Sequence, residues 1–384
     1  MRRHPLDTRY ASFLKAWDEV SRESSGTEII DFDVAGVEAG EPLVTELHAL
    51  EVLGLLREEH EPGSFQGRRI DGHIAYLRHK LGERPGFRGY VRATQGIPAD
   101  PMSEDEIGHR RAMAADALGR AGIGLGPQVE YELEAADTAI PMDGLPDAFR
   151  AATAGMLPAL EDALEHPLPL DFDTEFTDDD GWWTYWADTV DGRFRLRFNR
   201  RRRSSLTAAE VRQFTAHEVL GHFGQIAAYA ARIAEGALPR SFGVTTLHTL
   251  EQFTFEGVAQ TLPLWLEPPE QLDDLLLARI RLTHYEALVQ HNAHLMINGG
   301  EPVERCAHYV LERLPHFQPR SILLDLASRS NDPLERSSRF VYPTSMHTMV
   351  LATERLDAGG KRGMLRRLYS APIAYEEFVS AVLD

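Results

Sequence analysis

Apolar side chains recur at helical spacing along most of this chain, and strand-like alternation is confined to short stretches. Tyr10, Phe13, Leu14, Trp17 and Val20 mark a helix over 8–25; Leu43, Leu47, Leu50, Val52, Leu53 and Leu56 mark a second over 41–60. After Pro62-Gly63-Ser64 a third runs through Ile74, Leu77 and Leu81 and stops near Gly82 and Pro85. Ser103 and Glu106 have the form of a capping box, which opens a helix over 104–121. The alternation at 128–134 predicts a strand, and 145–165 returns to helix.

The pattern shifts after Pro167. Two β-like runs, 182–190 and 193–199, flank Asp191-Gly192, a turn pair that predicts a hairpin. Four arginines, 200–203, follow as a basic island, read as a solvated loop or, through Arg201, as an anchor for a substrate carboxylate. Thr207 and Glu210 match a second capping box, from which a central helix runs over 208–232. Long helices are expected at 273–299, 302–314 and 319–329, and a closing helix at 369–383. The expectation is a mainly α fold, with a small antiparallel β element beside the central helix. Residues 1–166 form a helical scaffold and 167–384 the chemical half, in one continuous unit.

The central helix carries Phe214-Thr215-Ala216-His217-Glu218-Val219-Leu220-Gly221-His222. Two imidazoles on one helical face, with a glutamate beside the first, are the working parts of zinc hydrolases of the H-E-x-x-H type. Here the spacing is one residue longer. On an α-helix, positions five apart lie roughly 140° apart, so His217 and His222 cannot share an ion unless the backbone widens between them. A π-bulge at 219–221 is predicted, with Gly221 tolerating the distortion. A third ligand is required, and Glu256 is the first candidate: it sits in the apolar, small-residue run Phe255-Glu256-Gly257-Val258-Ala259, where an uncompensated carboxylate is costly. Glu251 is the runner-up.

Composition narrows the chemistry. At 384 residues the chain can hold two ordinary domains or one large core. Its net charge of -19 argues against nucleic acid and anionic membrane surfaces as partners. Cys306 is the sole cysteine, which excludes an intrachain disulfide and a thiolate metal cluster. The basic start Met1-Arg2-Arg3 leads into no apolar segment, and no apolar run reaches membrane-spanning length, so a cytoplasmic protein is expected.

The set His217-Glu218, Gly221-His222, Gln225 and Glu256-Gly257-x-Ala259 resembles the gluzincin metallopeptidases. In pattern it is similar to poorly characterised bacterial proteins bearing H-E-x-x-P-G-H-x-x-Q and E-G-W-A, and it shares H-E-x-x-x-H and E-G-x-A with the tubulin tyrosine carboxypeptidase group. The resemblance implies His217, His222 and Glu256 as zinc ligands and Glu218 as general base. It departs from the bacterial pattern by lacking the proline and by carrying Val258 for the tryptophan. Arg339-Phe340-Val341-Tyr342-Pro343 resembles the R-Y…P-G-Q-A segment of that group, with Ser345 near the glutamine position. Tyr342, His347 and Arg339 are candidates for stabilising an oxyanion or binding substrate.

The expected activity is zinc-dependent hydrolysis of an amide bond in a small peptide or peptide-like substrate, carboxypeptidase cleavage among the forms considered. Two alternatives belong to other classes: a non-haem Fe(II) enzyme using the same two-His, one-carboxylate set, and a binding protein descended from a metallopeptidase. The histidines at 284 and 291 share one face of a long helix and are read as a core or site-lining stripe.

Overall fold

The computed structural model describes residues 5–180 and 183–383, and they form a mainly helical fold. In the first half the helices are α1 (Pro5–Ser25), α2 (Glu46–Glu59), α3 (Phe65–Lys80), α4 (Phe87–Gln95), α5 (Glu104–Arg120), α6 (Val129–Ala135) and α7 (Leu145–Leu164). Helices α8 (Ala208–Phe214) and α9 (Gly224–Ala234) are continuous through a π-helical segment, Thr215–Phe223. Then come α10 (Gln252–Leu266), α11 (Asp274–Asn298), α12 (Val303–Arg313), α13 (Pro319–Asn331), α14 (Pro333–Arg355), α15 (Ala358–Leu368) and α16 (Tyr375–Val382). The strands are β1 (Ile30–Asp33), β2 (Ala139–Pro141), β3 (Phe172–Thr177), β4 (Tyr185–Val190), β5 (Arg193–Asn199), β6 (Ser205–Thr207) and β7 (Val244–Thr246).

The hairpin forms as expected: β4 and β5 pair antiparallel around Asp191 and Gly192, both at positive φ (51° and 73°). Its expected first residues include Trp182, which lies outside the described residues. On its other side β5 accepts β3 in parallel, so β4 is an edge strand. Elsewhere β1 pairs with β7 and β2 with β6, both antiparallel.

The expected strand at 128–134 is helix instead, over Val129–Ala135. In Val129-Glu130-Tyr131-Glu132-Leu133 only Val129 and Leu133 are buried, four apart, while Tyr131 is 69% exposed. A period of two and an i, i+4 pair are indistinguishable over five residues, and packing of Val129 and Leu133 into the core with α11 decides for the helix. The closing helix is shorter than the expected 369–383: only Tyr375–Val382 is helical there, and Tyr369 is instead buried with its hydroxyl donating to Leu220 O of the central helix.

Four apolar cores fill the molecule, and all of them draw residues from both halves of the chain. Helix α10 runs through the middle, packed on the π segment on one side and α14 on the other. Glycines set both approaches. A Cβ on Gly221 would stand 2.7 Å from Ala259 Cα, and one on Gly257 would stand 2.8 Å from Met349 Cγ. Gly221 is therefore required by the closeness of α10, and its own backbone is ordinary right-handed helix rather than a strained turn.

Candidate metal centre

The widened turn is present and longer than the bulge expected at 219–221. Nine residues adopt the π form, and at its end the Gly224 N–H donates to Val219 O, five residues back. At that pitch positions five apart lie about one turn apart, and the two imidazoles meet: His222 Nε2 is 3.2 Å from His217 Nε2, with the rings perpendicular. The capping box of Thr207 and Glu210 anchors the start of this helix, with both reciprocal bonds made.

Glu256 completes the group. Ala259 packs on Gly221, so α10 crosses where Glu256 Oε2 stands 3.7 Å from His217 Nε2 and Oε1 3.9 Å from His222 Nε2. The donor atoms of the three side chains lie within 4.8 Å of one another. Two donors held tetrahedrally at zinc distances stand roughly 3.3 Å apart, so the imidazole pair already has that spacing. Glu256 Oε2 is buried without a hydrogen-bond partner, as fits an atom available to ligate a cation. His222 Nδ1 is also unpartnered, so this ligand lacks the outer acceptor that zinc histidines usually have.

Burial sets the protonation of the group. It holds His217 down to about 4 and His222 well below the usual imidazole range, the latter helped by His217; both are neutral at pH 7, as metal ligands must be. Glu256 is pushed up to about 8 by burial, against a hydrogen bond from Tyr342. Glu218 is raised well above the ordinary carboxylate range by burial, then by Glu256 and Asp31. Its Oε1 lies 3.8 Å from His217 Nε2. The cluster thus holds two carboxyl groups that keep their protons for want of a cation, with no arginine or lysine ion-paired to either among the described residues, and a bound cation would favour their ionised form.

The group opens onto a cleft of about 590 Å³. Tyr185 and Ala187 of β4 form one wall, and Tyr342 and Arg339 from α14 another. A second cavity of about 530 Å³ continues past Trp183, Trp186 and Leu247. Tyr342 is bonded to Glu256, and Arg339, held by Glu335 at 2.6 Å, stands on the same face one turn earlier.

Other expected site residues lie elsewhere. His347 is five positions beyond Tyr342 on an ordinary helix and so points away from the cleft; its Nδ1 faces His284 Nε2 at 3.2 Å, close to Glu106. Arg201 is on an exposed loop, paired with Asp180 at 2.5 Å, and the basic island answers the acids around it. Glu251 is no ligand: it is ion-paired with Arg69 at 2.9 Å. His291 is a core residue bonded to Asp100 O.

Two cleft residues were not anticipated. Tyr185, half-buried, lines the cleft, and its phenol is raised by burial and then by Glu218; the run that contains it reads as a hairpin strand, either packing or holding extended substrate, and singles out no residue. Asp31, on β1, faces the same cleft, and burial lifts its carboxyl to about 7. Nothing near residue 31 in the sequence marks it, because its partner strand is more than 200 residues away.

No protein-family model matches the chain, and no curated protein matches it. Among solved structures it is similar to a protein named "putative lipoprotein" from Colwellia psychrerythraea, with a TM-score of 0.59 and 13% identity over 96% of this chain and 69% of that one. At that identity the likeness is one of fold alone. Among the described residues no helix is long and apolar enough to cross a membrane.

Proposed function

We propose that this protein is a zinc-dependent hydrolase of a peptide or peptide-like amide, its ion held by His217, His222 and Glu256. The observation that carries this reading is the convergence of those three donor atoms in a neutral-histidine, carboxylate-rich site that opens on a cleft beside Glu218. Bound zinc would supply Lewis-acid polarisation of the carbonyl and acidify the attacking water. Glu218 takes the proton from that water and delivers it to the leaving nitrogen; a raised carboxyl pKa suits both transfers. Tyr342 and Tyr185 present phenol hydroxyls to the cleft as donors for the developing oxyanion, and Arg339 adds positive charge on the same side.

The edge strand supports an extended substrate. In the β4–β5 hairpin the two-residue turn makes Trp186 and Asp188 the hydrogen-bonded positions, consistent with the bond from Asn199 N–H to Thr184 O. The N–H and C=O groups of Tyr185 and Ala187 therefore face the open edge, where a peptide can add as a further strand. The proposed compartment is the cytoplasm, in keeping with a lone, buried Cys306.

Metal analysis of protein purified without added metal, together with turnover of a mixed peptide library, tests the reading. One equivalent of zinc and library cleavage are expected; Glu218→Gln should keep the zinc and lower kcat by about 10²–10⁴-fold. Iron in place of zinc, or full activity in Glu218→Gln, overturns it.

A further inference from the structure

We propose that Asp31 binds a cationic group of the substrate, either an α-amine or a lysine or arginine side chain, beside the bond to be cut. This assignment rests on the hydrolase reading for the identity of the cleft. Three observations carry it.

The first is a β-bulge. In the β1–β7 pair Ile30 opposes Thr246 and Phe32 opposes Thr245, so Asp31 is the extra residue on its strand. Bulges of this kind re-aim a side chain and occur beside active sites. Phe32 packs its ring 5.8 Å from that of His222, which fixes β1 against the metal group, while Asp31 lines the cleft.

The second is that Asp31 is held but not neutralised. Gln252 bonds its carboxylate, and the same amide group donates to Thr246 O at 3.0 Å. Among the described residues no ion pair forms on Asp31, whereas the acids around it are answered. Asp33 pairs with Lys15, Glu28 with Arg22, and Asp188 with Arg195 and Arg197.

The third is the charge left over in the cleft. A divalent ion held by His217, His222 and Glu256 would offset Glu256 and Glu218, and Arg339 is paired with Glu335. Asp31 remains, a carboxylate facing a space that substrate must occupy. A buried carboxylate gains from a charge-assisted hydrogen bond with a cation that it does not gain from a neutral group.

The test uses zinc-loaded protein and amino-blocked pentapeptides in which lysine or norleucine is placed at each position in turn, plus the same peptides unblocked. Binding is measured calorimetrically in Glu218→Gln protein, so that it does not depend on turnover, and kcat/KM is measured in wild type. One cationic position or the free amine should bind roughly ten- to hundred-fold tighter than its neutral counterpart, and Asp31→Asn in that background should bring the ratio close to one, with Asp31→Glu restoring part of it. Equal binding of cationic and neutral peptides, or a ratio that survives Asp31→Asn, overturns the assignment. Asp31-dependent binding without cleavage by wild type would leave the assignment standing and sink the hydrolase reading instead.

Discussion

Two histidine pairs in this molecule each lie near a buried glutamate, one just before α10 and one within it. His73 Nδ1 is 2.9 Å from His248 Nε2, enclosed by Tyr10, Trp17 and Tyr76, and Glu251 nearby is closed by Arg69. His217 and His222 meet at 3.2 Å beside Glu256, five residues after Glu251, with no guanidinium or ammonium closing the charge. The first pair is fully sealed, and its histidines share one hydrogen bond inside an aromatic shell. At the second, His217 keeps 20% of its side chain open to a cleft. Two histidines and a glutamate are thus common to both regions. A site for an external ion differs in that, among the described residues, no arginine or lysine is ion-paired with its carboxylate, and a way in is left open.

The widest contrast should appear when each glutamate is neutralised. Glu251→Gln leaves Arg69 buried without its counter-ion and is expected to cost about 3–5 kcal/mol by denaturant unfolding. Glu256→Gln in metal-free protein replaces a buried carboxyl that is already largely protonated and has no arginine or lysine ion-paired to it, so its stability should hold or rise while zinc affinity collapses. Equal destabilisation by both would erase the distinction.

A smaller effect is expected from Gly221→Ala. Its Cβ must push α10 away at Ala259, with an overpacking cost of about 1–3 kcal/mol and weaker zinc binding, because the same crossing positions Glu256. The matching change on an exposed glycine such as Gly155, where a Cβ meets nothing within 4 Å, serves as the control.

The pH dependence of the metal-free protein sharpens the comparison further. Glu256 and Asp31 have raised folded pKa values, about 8 and about 7, so the folded state holds protons that the unfolded chain has released. Their contribution is present at low pH and is lost as pH rises through those values. His217 has a lowered pKa, so its contribution grows between about 4 and its ordinary 6.5 and is constant above that. Between pH 6.5 and 8 the carboxylates act alone, and stability should fall. Zinc should flatten the slope; a slope unchanged by zinc would detach it from this site.

The smallest effects should come from Arg201→Ala and His347→Ala, which lie outside the cleft. Arg201→Ala should alter stability by no more than about 0.5 kcal/mol. Neither should change zinc content, measured on the purified variants.

What the chain's own order determined was local. The H-E-x-x-x-H spacing required a wider helical turn, because donors five apart diverge on any other helix, and the turn is there. Asp191-Gly192 supplied the positive φ angles of a hairpin, and Thr207 with Glu210 supplied a cap, each within four residues. Pattern at that range is bound by backbone geometry.

Only tertiary structure decided which distant residues share the cleft. Asp31 reaches it through a bulge against a strand from the other half, Tyr185 through an edge strand, and Glu256 through the contact of Gly221 with Ala259. The same packing turned His347 away from the cleft toward His284, gave Glu251 to Arg69 and made 129–134 helical. Side-chain type cannot report these outcomes, since a buried carboxylate means opposite things beside an arginine and beside an open cleft. What separates the two is which neighbour the fold brings within a few ångströms, and that is fixed by the packing of whole helices.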